Sequence, residues 1–239
     1  MTGERWSAIT AAPAYPAAPA DRRTLRVAGL DLPVRATIAI VVVTLVLLFD
    51  FSRTAIPEEV QAIGRAAAAL RYQAIERVVL FLLVPVLVVA WAFRDRPLEY
   101  GLRLGDWRWG IGLAAVGCAV MTPIVIAVGS NPDFKAFYSV SSASVGDLAV
   151  THALDLVSTE FLIRGFLMFT LLRAIGPLGI VVAQLPFVFS HLGKPEIELF
   201  STLLGGATFG WLDWRTGSIW WSALAHVYIL TLVVAIAGA

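Results

Sequence analysis

Ser158-Thr159-Glu160-Phe161-Leu162-Ile163-Arg164-Gly165-Phe166-Leu167-Met168-Phe169 sets a carboxylate and a guanidinium four residues apart inside otherwise membrane-grade apolar sequence. Residues four apart on a helix stack on one face, so Glu160 and Arg164 can pair locally, with Gly165 letting a neighbour approach closely. A charge in the hydrocarbon layer costs roughly 2.5–3.5 kcal/mol on insertion scales, so such residues face a protein interior or wet cavity and pair with one another. Two later apolar runs are interrupted in the same way, by His191 in PFVFSHLGKP (186–195) and by His226 in WWSALAHVYIL (220–230). Four ionisable groups in three apolar segments point to one shared site.

Composition selects the physics. The chain has 239 residues, 59% hydrophobic and 15% charged, with a mean hydropathy of +0.80. Those proportions exclude an ordinary soluble domain and predict an all-α, polytopic transmembrane helix bundle. A net charge of +1 without a Lys/Arg-dense face gives no support for nucleic-acid binding. Cys118 is the single cysteine, which excludes an internal disulfide and a Cys-based zinc site.

Working outward, residues 1–31 are Ala/Pro-rich with scattered Arg and read as a flexible cytoplasmic tail, with no secretory signal peptide. Residues 32–239 form the transmembrane domain. About seven membrane segments are expected, near 34–51, 75–93, 110–128, 148–172, 178–191, 197–211 and 219–236. Several are shorter than the 20 or so residues of a full crossing. Pro57-Glu58-Glu59 reads as the start of an interfacial helix, Pro85 as a kink, and Gly129 to Asp147 as an outer, turn-rich loop. With the N-terminus inside, eleven Arg fall in cytosolic parts against six Lys and Arg outside. Tryptophans 107, 109, 211, 214, 220 and 221 lie near the segment ends, as an aromatic belt should.

From the pair alone, a structural strut and a catalytic group are equally good readings of Glu160 and Arg164. Two histidines beside a buried carboxylate supply the parts for activating water by general base catalysis. They are also ligands that zinc accepts, but no HExxH pattern is present, which leaves a divalent metal unassigned. Asp155, Glu196 and Glu198 are further carboxylates near the site, with Lys194, Glu196 and Glu198 readable as a solvated turn. His152 reads as interfacial and outside the site.

At these residues the chain resembles the CPBP intramembrane proteases, also called the CAAX protease and bacteriocin-processing or Abi family. That family's pattern is a Glu-Glu-x-x-x-Arg-Gly helix, then Phe-x-x-x-His, then His-x-x-x-Asn. The counterparts are Thr159-Glu160-Phe-Leu-Ile-Arg164-Gly165, Phe187-Val-Phe-Ser-His191 and His226-Val-Tyr-Ile-Leu230. EYGLRLGDWRWG (99–110) and GGATFGWLDWRTGSIWWSALAH (205–226) also look like family stretches, so the resemblance covers about Tyr100 to His226 within a core of about 100–236.

The resemblance implies an intramembrane endopeptidase of the bacterial plasma membrane acting on a peptide or protein, lipid-modified or not. Glu160 and His191 would deprotonate water, His226 would donate to the oxyanion, and Arg164 would hold Glu160. Two positions depart from the pattern. The family's first glutamate, credited with activating water, is Thr159 here, and its oxyanion asparagine is Leu230, which has no hydrogen-bonding side chain. The competing expectations are a non-catalytic scaffold, peptide-binding or immunity-type protein and, behind it, a small transporter with a proton relay.

Overall fold

The structure, a computed structural model, describes residues 11, 14–52, 67–138 and 144–238. Helices form at all seven apolar stretches. They are α1 (Val34–Ser52), α2 (Ala67–Phe93) and α3 (Trp107–Gly129), then α5 (145–175), α6 (Leu178–Phe189), α7 (Glu196–Thr216) and α8 (Trp220–Ala237). A short helix, α4 (Pro132–Tyr138), lies between α3 and α5.

Four of these, α1, α2, α3 and α8, are long and apolar enough to cross a membrane, so the count of seven crossings is not reached on that measure. The 12 residues of α6 rise only about 18 Å against a hydrocarbon layer of about 30 Å. The chain is an all-α integral membrane protein whose middle helices form a core for the outer ones.

Where an interfacial helix and a separate span were expected, α2 runs unbroken from Ala67 to Phe93. The expected start at Pro57-Glu58-Glu59 lies outside the described residues. Pro85 cannot donate to the ladder, and the helix widens into π turns at Val78–Leu83 and Val88–Phe93 on either side of it. A third π stretch, Phe161–Met168, interrupts α5 between α-helical Val145–Glu160 and Phe169–Ile175. Every residue of that stretch is buried, as is typical of π turns at functional sites.

Part of the presumed flexible tail is folded. Strands β1 (Thr24–Val27) and β2 (Leu30–Pro33) pair antiparallel, with Leu25 opposite Leu32. Their two-residue turn has positive φ at both Ala28 and Gly29, the type I′ geometry that matches strand twist. Arg35, one of the arginines counted on the cytosolic side, is a buried clamp. It donates to Asp21 at 2.8 Å, to the Phe93 carbonyl at 2.7 Å and to Asp95 at 3.0 Å, tying the tail and α1 to the end of α2.

Two of the tryptophans at the segment ends also tie the fold together. Trp220 and Trp221 spend their indole N–H groups on the carbonyls of Leu102 (2.9 Å) and Leu104 (3.0 Å). Trp221 is buried. They fasten the loop before α3 to the turn between α7 and α8, where Asp106 N also donates to Thr216 O at 2.8 Å. That fastening sets the height of α8, and therefore of His226.

The α3–α8 interface is close enough to test by substitution. A Cβ at Gly110 would lie 2.2 Å from the Trp221 ring, whereas one at Gly112 would meet nothing within 4 Å. Gly110→Ala is expected to lower the thermal midpoint in lipid nanodiscs. Gly112→Ala should leave it unchanged or raise it, by about 0.5–1 kcal/mol of recovered helix propensity. Equal midpoints for the two variants would contradict this packing.

Candidate active site

Glu160 ends the first α-helical part of α5, and Arg164 sits in the π turns that follow. Both side chains are fully buried, and Arg164 Nη1 donates to Glu160 Oε2. The second carboxylate oxygen, Oε1, is 2.7 Å from His226 Nδ1 on α8. A carboxylate facing a guanidinium only accepts, so the His226 proton sits on Nδ1 and the lone pair is left on Nε2. His226 is the least buried of the three, its side chain 16% exposed.

The guanidinium is boxed in by apolar surface. Its Cζ lies 4.2 Å from the centre of the Phe187 ring and 5.5 Å from that of Phe209, while Nη2 reaches the Gly206 carbonyl at 3.4 Å. Aromatic faces and a carbonyl offset part of the desolvation cost of a buried cation. Gly165 is approached by the Tyr100 carbonyl, which would lie 2.8 Å from an added Cβ, so the short 3-10 turn Pro97–Tyr100 rather than a membrane-length helix uses the space.

His191 follows the end of α6. Its Nδ1 lies 2.8 Å from the Phe187 carbonyl, which can only accept, so this ring too carries its proton on Nδ1. The ring packs edge-on to Phe187, 4.7 Å between centroids, and Phe187 in turn packs against His226 at 6.0 Å. Phe187 is thus the common wall of Arg164, His191 and His226. His191 and Glu160 share no hydrogen bond among the described residues.

The other expected participants are placed elsewhere. Asp155 is held by Arg77, which also pairs with Asp50, in a separate strut between α1, α2 and α5. The Thr159 hydroxyl turns toward that strut and donates to the Asp155 carbonyl at 3.0 Å. Leu230 packs into the apolar cluster of α3, α4, α5 and α8 around Val125 and Tyr138. Glu196 is exposed. Glu198 accepts from Tyr138 Oη at 2.6 Å and from Lys194 at 2.8 Å, so Lys194 and Glu198 form a partly buried pair rather than a solvated turn. Burial and the Glu198 carboxylate push the Tyr138 phenol up, holding it as a donor.

His152 is not interfacial. It is buried, and its Nδ1 lies 3.0 Å from Thr231 Oγ1 across the α5–α8 interface. Its signal in the sequence was its position eight residues before Glu160, two turns along the same face. Asp213 on α7 was not singled out, although a carboxylate inside GWLDWRTGS (210–218) deserved the same question as Glu160. It is fully buried and accepts from Ser222 Oγ at 2.9 Å, one turn before His226 on α8.

Chemically, the arrangement is a carboxylate-oriented imidazole, a second imidazole nearby, and a guanidinium on the far carboxylate oxygen. Among the described residues no three His, Cys, Asp or Glu side chains come together as a metal-binding group. A cavity of about 290 Å³ between the starts of α2 and α5, near Arg71 and Thr151, is distinct from this site.

A family model described as type II CAAX prenyl endopeptidase Rce1-like matches residues 141–232. No curated protein and no solved structure matches the chain. The matched stretch runs from just before α5 into α8 and includes Glu160, Arg164, His191 and His226, as well as the departures at Thr159 and Leu230. The match takes in every side chain of this candidate site and agrees with the CAAX protease-type resemblance of the sequence.

Proposed function

We propose that the site hydrolyses a peptide bond within the membrane, with His226 as general base and Glu160 as the group that orients it. The observation that carries this reading is the 2.7 Å contact between Glu160 Oε1 and His226 Nδ1 inside a fully buried ion pair. In sequence Glu160 looked like the base itself, with His226 donating to the oxyanion. The hydrogen bonding favours other roles, because both Glu160 oxygens are already engaged and His226 offers a lone pair rather than a proton.

In this mechanism His226 Nε2 takes a proton from water as the oxygen attacks the scissile carbonyl. Glu160 stabilises the imidazolium that forms, and the same Nε2 then gives the proton to the leaving amine. Arg164 keeps Glu160 in place and balances its charge. His191 Nε2 is the second acceptor available to the water or to a substrate N–H. The substrate is a peptide or protein segment, lipid-modified or not, and the setting is a plasma membrane with the N-terminus inside. The chemistry needs no metal. A cation at Glu160 would compete with the Arg164 guanidinium already bonded to Oε2.

A second reading is supported by Leu230 and by the two histidine tautomers. With neither ring presenting an N–H to an oxyanion and an apolar side chain at 230, the cavity is better suited to holding a peptide than to stabilising a tetrahedral intermediate. That is the non-catalytic scaffold or immunity-type member.

His226→Ala should lower cleavage of a responsive peptide by about 10²–10⁴-fold, the usual worth of a general base, with a smaller loss of thermal stability because Glu160 Oε1 loses its partner. Stripping divalent cations should leave the parent rate unchanged. Parental cleavage by the alanine variant, or full loss of activity on chelation with recovery on zinc addition, would sink the mechanism. Leu230→Asn separates the two readings. It restores a donor one turn after His226, worth on the order of 2.7–4 kcal/mol where such donors have been removed from enzymes. Hydrolysis should rise while the thermal midpoint falls, since an amide enters an apolar cluster. No rise over the parent would show that the parent is not limited by a missing oxyanion donor.

A further inference from the structure

Among the described residues, three buried side-chain polar atoms have no hydrogen-bond partner: Arg164 Nε, Gln184 Oε1 and Asp213 Oδ1. All three residues are nearly or wholly inaccessible, with Arg164 and Asp213 at 0% exposure and Gln184 at 4%. Buried polar atoms are ordinarily satisfied, so three orphans in one region call for a common cause.

They gather on one face of α7. Gly206, Gly210 and Asp213 stand at i, i+4 and i+7, within one helical stripe. Arg164 Nη2 touches the Gly206 carbonyl at 3.4 Å. The Gln184 amide lies directly over the two glycines, Oε1 being 2.1 Å from where a Gly206 Cβ would stand and Nε2 being 3.1 Å from a Gly210 Cβ. Asp213 follows one turn on, its other oxygen held by Ser222. The glycines supply the space and the three side chains supply the polarity.

The orphans are also complementary as a set. Arg164 Nε offers a hydrogen, while Gln184 Oε1 and Asp213 Oδ1 accept. Water can accept up to two hydrogen bonds and donate two, so one molecule can take the Nε hydrogen and give one to each oxygen; a buried water ordinarily makes about three. No direct pairing among the three is made.

We propose that the Gly206–Gly210–Asp213 face of α7 holds an internal water, single or paired, bound by Arg164, Gln184 and Asp213 behind the Glu160–His226 pair. It completes the hydrogen bonding of the Arg164 guanidinium on the side away from Glu160. This water site does not depend on whether the protein cleaves peptides, because its ligands are fixed by burial alone.

Met168 reports on it. Its Sδ lies 3.5 Å from where a Gly210 Cβ would stand, and the residue is fully buried. Bulk hydroxyl radicals do not reach such a sulfur, but radicals made from a bound water by microsecond X-ray irradiation do. In the full-length protein in lipid nanodiscs, Met168 should take up oxygen severalfold faster than Met121, which packs against the apolar cluster around Val125. Gln184→Leu removes one ligand of the water and should bring Met168 down to the Met121 level, with Met121 unchanged. Labelling of Met168 at or below that of Met121 in the parent would overturn the proposal. So would undiminished labelling in a folded Gln184→Leu variant. If that variant does not fold, the parent comparison decides alone.

Discussion

A guanidinium with no access to solvent is the constraint around which the inner helices are arranged. Arg164 cannot shed its charge, so its surroundings must replace water on every side. Glu160 supplies the counter-charge one turn away, Gly206 a carbonyl, and Phe187 and Phe209 two ring faces. Phe187, Gly206 and Phe209 come from helices that are poorly suited to crossing a bilayer alone. α6 is short, and α7 carries two acids at its start and Asp213 near its end. Their presence makes sense as the lining of a polar box that the more apolar α1, α2, α3 and α8 separate from lipid.

The buried charges fall into two groups with different work. Asp50, Arg77 and Asp155 form a strut across α1, α2 and α5, with Arg77 2.8 Å from Asp50 and 3.0 Å from Asp155. Asp21, Arg35 and Asp95 form a second strut that ties the tail and α1 to the end of α2. In both, every charge is matched by a partner that could only be structural. At Glu160 the second oxygen is given to an imidazole whose other nitrogen is left without a protein partner among the described residues. That asymmetry separates a site able to move a proton from a joint that only holds helices.

Much of the site was legible because its spacing is local. Glu160 and Arg164 need only be four apart, and that relation survives the π turns of Phe161–Met168, which widen the helix without parting adjacent turns. His191 and His226 were legible because an ionisable group inside an apolar run is conspicuous whatever it touches. What stayed hidden depends on partners far along the chain. Nothing near His152 announces Thr231, and Trp220 and Trp221 find their carbonyl partners more than a hundred residues away. The hairpin at Thr24–Pro33 was missed for another reason. Its strands are exposed and only four residues each, so they show no buried face for a period-two pattern to reveal.

The locality of the Glu160–Arg164 pair has a consequence for how such a chain is made. Threaded into the bilayer as separate segments, Asp50 and Arg77 must each wait for a partner on another helix, and a lone charge in lipid favours holding the segment back. α5 carries its own neutralisation, since carboxylate and guanidinium meet as soon as one turn has formed. It can therefore leave the translocation channel before α8 has been synthesised, arriving as a closed pair. His226 then docks on an oxygen that has been waiting, and the site is completed by the last helix rather than assembled around it.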